Sequence, residues 1–140
     1  MVDETQPSVK DVIAVAEFRS ALRHFLRRSE KVARQSGLTP QRYTLLMMIK
    51  GAPGGEEQST VTELAERLQL AQSTVTELVR RAETAGLIER EQSQRDARVA
   101  HLRLTSEGER RLMLSFTALE TERAQLRDAF SNLDGGVAGP

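Results

Sequence analysis

The sequence predicts a mainly α-helical fold that contains one small β-hairpin. Three observations carry this prediction. Apolar residues recur at helical spacing over most of the 140 residues, caps and stop residues delimit five helical segments, and two short strand-like segments lie between the last two of them. The length and the hydrophobic content of 39% suit a single domain, residues 1–140, whose core needs no cross-links.

The composition excludes several classes of protein. There is no cysteine, which rules out disulfides, thiolate metal sites and thiol-based sensing, and is typical of a reducing cytoplasm. The longest apolar run, residues 45–49, is too short to cross a bilayer, and the N-terminus lacks the basic start of a signal peptide. We therefore expect a cytoplasmic protein. Because twenty basic residues balance twenty acidic ones, any affinity for nucleic acid must come from local placement of charge.

A long first helix is predicted over residues 8–35. Ser8 and Asp11 form a capping pair at its start, and Gly37 follows its end as a stop signal. Alternating three- and four-residue spacings, as in a coiled coil, relate the residues Val15, Phe18, Leu22, Phe25, Ser29 and Val32.

A second, shorter helix is predicted from Thr39 to about Lys50. Threonine is a good N-cap, and Pro40 fits the first helical position. This helix is apolar on most sides, so we expect it to be buried. The glycine-rich and polar residues 51–59 should then form an exposed connector between helices.

Two short helices follow the connector. Thr60 and Glu63 form a capping box for a helix that ends near Leu70. The next helix is expected over residues 72–84 and is closed by Gly86. Its inward positions are Val75, Leu78, Val79 and Ala82. Two short helices joined by a tight turn are typical of the helix-turn-helix motif.

A β-hairpin is predicted directly after this motif. Residues 87–92 and 98–104 read as strands because the second alternates apolar and polar side chains. The polar residues 93–97 should form the tip. A hairpin in this position makes the unit a winged helix-turn-helix, which we place at about residues 38–104.

One last long helix is predicted over residues 105–133, with Thr105 as its N-cap. Four-three spacing relates Leu112, Phe116, Leu119, Arg123, Leu126, Phe130 and Leu133. One small core cannot bury both this row of apolar residues and the similar row in residues 8–35. We therefore expect both long helices to form the interface of a twofold homodimer. The glycine-rich residues 134–140 are expected to be a disordered tail.

Six short segments resemble, in order, landmarks of the MarR (multiple antibiotic resistance regulator) family of winged helix-turn-helix transcriptional regulators. They are LTPQ (38–41), ELAERL (63–68), STVT (73–76), GLIER (86–90), DAR (96–98) and LTSEG (104–108). The resemblance covers roughly residues 10–130. It implies a protein that binds double-stranded DNA as a homodimer and regulates transcription, most often as a repressor.

The chain departs from the family pattern in four places. Ser93 and Gln94 stand where the family often has Asp-Pro, and Ala71 stands where a serine usually caps the recognition helix. The connector, residues 51–59, is longer than usual. We expect the family's final helix, which normally follows the helix that ends near Phe130, to be missing or vestigial, and the dimer to depend on two helices per subunit instead of three.

The helix over residues 72–84 is the candidate for reading base edges, because a helix fits the major groove. Its candidate contacts are Gln72, Ser73, Thr74, Thr76, Glu77, Arg80 and Arg81. Arg80 suits guanine and Gln72 suits adenine, whereas Glu77 can accept from cytosine but repels phosphate. The alternative is an ordinary solvated helix face.

The hairpin tip is the candidate for the minor groove, where narrow A·T-rich stretches attract arginine. Arg95 and Arg98 are its candidate cations, and the resemblance implies that Arg98 enters the groove while Asp96 holds the hairpin through an ion pair. A surface hairpin with scattered charge is the alternative. Candidate phosphate contacts at helix N-termini are Thr39, Gln41, Arg42, Thr60 and Thr62, although the threonines could equally serve only as caps.

The resemblance also implies a small aromatic or anionic effector, bound between the dimer helices and the winged domain. Arg19, Arg23, His24, Tyr43 and Met47 offer cationic and apolar surface for it, and packing or solubilising roles remain the alternative for each. We expect no cofactor and no metal. An enzyme is not expected either, because the chain has only two distant histidines and no phosphate-binding glycine loop. A winged helix that assembles proteins without DNA specificity is the open alternative.

Overall fold

The computed structural model describes residues 6–134, and the chain divides into two compact units. One unit is residues 33–116, called here the winged-helix unit. The other, the terminal unit, consists of residues up to 32 and from 117 onward. The helices are α1 (Val9–Gln35), α2 (Pro40–Lys50), α3 (Val61–Leu68), α4 (Gln72–Thr84), α5 (Ser106–Ala118) and α6 (Glu120–Ser131), and the strands are β1 (Ile88–Gln92) and β2 (Ala100–Leu104). The predicted class, mainly α with a β-hairpin, is confirmed. Within the described residues, no helix has both the length and the hydropathy needed to cross a membrane.

The core of the winged-helix unit is aliphatic. Its most deeply buried large side chains are Leu38, Leu45, Leu46, Ile49, Leu64, Val75, Val79, Leu87, Leu102 and Leu112. They come from α2, α3, α4, β2 and α5 and from the segments that precede α2 and β1. Helix α2 lies among these core residues, and four of its side chains are buried. The apolar composition of the helix predicts this burial.

The helix-turn-helix is delimited by local hydrogen bonds. Thr60 and Glu63 form the expected capping box, in which each side chain accepts from the backbone N–H of the other at 3.2 Å. Gln69 then adopts a left-handed conformation, with φ of 56°, and turns the chain into α4. Ala71 precedes α4 without a side-chain cap. Gly86, with φ of 77°, follows α4 and leads directly to the buried Leu87.

The hairpin is antiparallel, and its register runs from Ile88 opposite Leu104 to Gln92 opposite Ala100. Ser59, at the end of the connector, adds a bridge to β2. Its N–H donates to the Leu102 carbonyl at 3.1 Å and its carbonyl accepts from the Leu102 N–H at 2.8 Å. Ser59 is only 1% exposed, so the connector ends inside the fold rather than wholly at the surface.

The prediction of one uninterrupted helix over residues 105–133 is wrong. Helix α5 ends at Ala118 and α6 begins at Glu120, with Leu119 between them at φ −103° and ψ 15°. Leu119 is fully buried, and the chain leaves helical geometry there. The four-three spacing continues across the break, so the apolar pattern could not reveal it. A short 3₁₀ turn, Asn132–Asp134, follows α6, and the rest of the predicted tail lies outside the described residues.

In the terminal unit, side chains of α1 contact side chains of α6. The rings of Phe18 and Phe130 meet edge to face, with centroids 5.9 Å apart. Arg28 donates to Glu122 at 3.4 Å. The first turns of α1 nevertheless leave apolar side chains in solvent, with exposed fractions of 75% for Val9, 61% for Val12, 55% for Ile13 and 48% for Val15.

Candidate nucleic-acid interface

Helix α4 presents one polar face to solvent. Its opposite face carries Val75, Val79 and Ala82, which are all fully buried and therefore fix the rotation of the helix. The predicted base-reading residues Gln72, Ser73, Thr74, Thr76, Arg80 and Arg81 are exposed, and Glu77 is half-buried among them. The predicted residues of this helix therefore share one accessible surface.

Three charged residues on this face are paired with one another. Arg80 donates from Nε to Oε2 of Glu77 at 3.0 Å and from Nη2 to Oε1 at 2.6 Å. Arg81 donates from Nε to Oε1 of the same carboxylate at 3.1 Å. The hydrogen bonds from Arg80 and then Arg81 lower the pKa of Glu77 below its usual value. This pairing was not predicted from the sequence, although an acidic residue followed three and four positions later by arginines is its signal.

The hairpin tip is ordered by side-chain to backbone hydrogen bonds. The Ser93 hydroxyl accepts from the N–H groups of Arg95 at 3.2 Å and Asp96 at 3.3 Å. Asp96 accepts from the N–H of Arg98 at 3.0 Å and lies 3.7 Å from its Nε atom. The backbone bond is therefore the closer of the two Asp96 contacts. This bond fixes the backbone at Arg98, whose side chain is 95% exposed.

A shallow groove lies between the start of α3 and the hairpin. Thr60 and Thr62 line one side of it, and Arg90 and Arg98 line the other. Nε of Arg90 also donates to both carboxylate oxygens of Glu83 at 3.0 Å, which connects β1 to α4. The structure thus brings two predicted phosphate contacts together with the predicted minor-groove arginine. The Thr60 hydroxyl serves as a cap in the same place.

A second, smaller groove lies between the start of α2 and α4. Its lining includes the three predicted phosphate contacts of this helix terminus, Thr39, Gln41 and Arg42, together with Leu78 and Arg81 of α4. Thr39 caps α2 by accepting from the N–H of Arg42 at 3.1 Å. All five predicted phosphate contacts therefore lie beside α4 or the hairpin.

The predicted effector residues belong to different units. Arg19, Arg23 and His24 are exposed on α1 in the terminal unit, whereas Tyr43 is 4% exposed and Met47 half-buried on α2 of the winged-helix unit. Whether one ligand contacts both sets stays a prediction.

The predicted dimer residues fall into two groups. Leu112 and Leu119, at 2% and 0% exposure, are already buried within one chain, so we leave them out of the proposed interface. The other residues retain accessible surface: Phe18, Leu22, Phe25, Phe116, Arg123, Leu126 and Phe130. Phe130 is the most exposed aromatic residue of this group, at 57%.

The tight turn between α3 and α4, the exposed face of α4 and the hairpin after it define residues 33–116 as a winged helix-turn-helix. Residues 36–99 match the model of the MarR family. The MarR-family resemblance predicted from the sequence is therefore confirmed. No curated protein matches the chain.

Solved structures of transcriptional regulators share the fold. A MarR family transcription regulator is 24% identical, with 90% of this chain and 81% of that one covered at a TM-score of 0.68. A transcriptional regulator from Thermotoga maritima is 25% identical, with 86% and 78% covered at a TM-score of 0.60. A mutant MarR from E. coli, complexed with operator DNA, is 18% identical, with 84% and 77% covered at a TM-score of 0.62.

Proposed function

We propose that the protein is a transcriptional regulator that binds double-stranded DNA sequence-specifically, with α4 in the major groove and the hairpin in the minor groove. The observation that carries this proposal is that exposed Arg98 lies beside the threonine-capped start of α3, and that α4 lies beside the threonine-capped start of α2. Such a surface can contact base edges and phosphates at once. The structural likeness to a MarR protein complexed with operator DNA supports it.

We propose further that the protein acts as a homodimer. Val9, Val12 and Ile13, at neighbouring positions of α1, and Phe130 of α6 are all more than half exposed. Exposed apolar patches mark interaction sites. A twofold dimer carries two copies of α4, and a palindromic DNA site follows from that symmetry.

The proposed regulation is repression that a small aromatic or anionic molecule relieves. A groove along α1 supports this proposal, because Arg19, Arg23 and Leu26 border it next to Phe18 and Leu22, which are also assigned to the proposed dimer interface. Cationic groups beside apolar surface suit an aromatic carboxylate. Addition of such a molecule to the protein–DNA complex should release the DNA, and benzoate, the simplest aromatic carboxylate, is a suitable first probe.

A protein-assembly module without DNA specificity is the second candidate. The pairing of Arg80 and Arg81 with Glu77 favours it, because this pairing reduces the positive charge that the recognition helix presents. Salt dependence separates the two candidates. Binding through phosphates weakens steeply with salt, since each contact releases counterions.

The experiment that tests the proposed function is selection of duplexes from a random pool, followed by footprinting. We expect one palindromic sequence with half-site centres about 10 base pairs apart, as a twofold helix-turn-helix dimer requires. An asymmetric site occupied by one subunit would refute the dimeric mode of binding. A pool that shows no enrichment would refute sequence-specific regulation itself.

A further inference from the structure

Glu77 lies between two arginines on the face of α4 that is proposed to read DNA. Its two carboxylate oxygens accept three hydrogen bonds, two from Arg80 and one from Arg81. We propose that Glu77 sets the specificity of this helix, by orienting Arg80 for one base and by keeping both arginines from binding phosphate. This inference rests on the proposed function, because it assigns a role within the same surface.

The hydrogen-bond pattern shows how Glu77 orients Arg80. The Nε and Nη2 atoms of Arg80 both donate to the carboxylate, which occupies one edge of the planar guanidinium. The remaining donors, on Nη1 and the outer side of Nη2, form a second pair along another edge. Two parallel donors are what guanine O6 and N7 accept. Arg80 thus keeps one donor pair for a base while the other is held by Glu77.

The charge of Glu77 restrains binding to the wrong sequences. Two unpaired arginines would attract the phosphates of any duplex, which adds affinity without information. With Glu77 the cluster carries one net positive charge instead of two, and the carboxylate repels phosphate. Glu77 is ionised at neutral pH, and the hydrogen bonds from Arg80 and Arg81 lower its pKa further below the ordinary value. Specificity is the difference between the affinities for the correct and the wrong duplex. Weaker binding to the wrong duplex therefore raises specificity.

The chain contains a matched control for this arrangement. On α5, Glu107 accepts from Nε of Arg110 at 3.0 Å, from Nη2 of Arg110 at 2.6 Å and from Nε of Arg111 at 2.8 Å. The spacing of the three residues equals that of the α4 cluster. Glu107→Gln therefore removes the same charge and breaks the same kind of pairing, but outside the surface proposed to bind DNA.

The test compares wild type, Glu77→Gln and Glu107→Gln on the selected duplex and on a scrambled duplex of equal length. We expect Glu77→Gln to bind the scrambled duplex more tightly, by up to about eightfold at 0.1 M salt, because one more phosphate contact releases about 0.9 counterions. The salt slope should steepen by about the same 0.9. Affinity for the selected duplex should rise less, so the ratio of the two affinities falls. Glu107→Gln should leave the ratio unchanged.

Arg80→Ala and the double variant Glu77→Gln/Arg80→Ala show whether Glu77 acts through Arg80. Loss of a bidentate guanine contact should relax preference at one base position by about 5- to 150-fold. In the Arg80→Ala background, Glu77→Gln should not weaken the base preference at that position any further. A further loss of preference there would mean that Glu77 reads a base itself, and the positioning role would be wrong.

The outcomes separate this inference from the proposed function. If wild type prefers the selected duplex and Glu77→Gln leaves the ratio unchanged, or Glu107→Gln lowers it equally, only the role of Glu77 is refuted. If wild type prefers no duplex, the proposed function fails and the inference fails with it. Thermal unfolding of each variant should confirm an intact fold, because Arg80 and Arg81 are more than 60% exposed and surface ion pairs add little stability.

Discussion

The carbonyl oxygen of Leu87 occupies the space that a β-carbon on Gly108 would need. The same carbonyl accepts a hydrogen bond from the N–H of Thr105 at 3.0 Å, and the Thr105 hydroxyl donates to the Gly86 carbonyl at 2.6 Å. The first turn of α5 is therefore packed directly on the chain segment between α4 and β1. This contact gives a physical reason for glycine at the end of the LTSEG segment.

We expect Gly108→Ala to destabilise the winged-helix unit by about 1–3 kcal/mol, the usual cost of forcing extra atoms into a packed site. The measurement is the free energy of unfolding from urea denaturation. Ser106→Ala is the control, because Ser106 is an exposed residue of the same turn and surface substitutions usually change stability by less than about 0.5 kcal/mol. Equal stability of wild type and Gly108→Ala would show that the backbone can move away at no cost.

Much of the winged helix could be predicted because its signals are local. The capping box at Thr60 and the buried positions Val75, Val79 and Ala82 depend on residues a few positions apart. The bridge between Ser59 and Leu102 could not be predicted, since it joins residues 43 positions apart and a serine carries no strand signal. The break at Leu119 could not be predicted for a different reason. A buried leucine at this position fits the apolar spacing of one continuous helix and of two consecutive helices equally well.

The candidate site, too, could be predicted from the sequence only in part. The exposed face of α4 follows from helical periodicity, so the side chains that share it could be listed from the sequence. The grouping of Thr62 with Arg98 could not, because it depends on how the hairpin folds back toward α3. Ser93 shows a related limit. Its hydroxyl orders the hairpin tip although it departs from the family's Asp-Pro pattern, and only its hydrogen bonds reveal this role.

The stability of the protein should depend on pH through Glu107. Hydrogen bonds from Arg110 and then Arg111 lower the pKa of its carboxyl to about 2 from an ordinary value of 4.5. A carboxyl with a lowered pKa in the folded state stabilises the fold above its unfolded pKa and loses this contribution as the pH falls. We therefore expect Glu107→Gln to unfold at a slightly lower temperature than wild type at pH 7, because solvent screens an exposed ion pair, and the difference to shrink between pH 4.5 and about 2.

Thermal unfolding followed by circular dichroism across this pH range is the measurement. The control is the same substitution in an Arg110→Ala background, where the pH-dependent difference should be smaller because the main hydrogen-bond partner is gone. A difference between Glu107→Gln and wild type that persists unchanged at pH 2 would mean that Glu107 stabilises the fold by something other than its charge.

Arg98→Ala should weaken binding to the selected duplex by about 1–3 kcal/mol. The side chain is 95% exposed at the hairpin tip, and a narrow A·T-rich minor groove has the negative potential that attracts it. The loss should therefore be larger on A·T-rich flanks than on G·C-substituted ones, as measured by fluorescence anisotropy. Arg110→Ala, which removes the same charge from α5, is the control and should leave affinity nearly unchanged. Equal losses on both flanks would remove the groove-reading role from Arg98.

Phe130→Asp should abolish the dimer and DNA binding together. The ring of Phe130 packs edge to face with that of Phe18, and Phe130 is 57% exposed in the single chain, so we expect a second subunit to cover it. An aspartate there would bury a carboxylate against apolar surface, which costs several kcal/mol unless a partner compensates it. A monomer reaches only one half of a palindromic site, so its affinity for the full site should fall as well.

Sedimentation measures the oligomeric state of this variant, and anisotropy measures its affinity for the palindromic duplex. Phe130→Leu is the matched control, because it keeps an apolar side chain at the position and should remain dimeric. The helical content of Phe130→Asp should stay close to that of wild type, since the substituted ring is more exposed than buried in the single chain. A variant that sediments as a monomer yet binds the palindrome with full affinity would show that recognition does not depend on twofold symmetry. A variant that stays dimeric would place the interface elsewhere on the chain, away from Phe130.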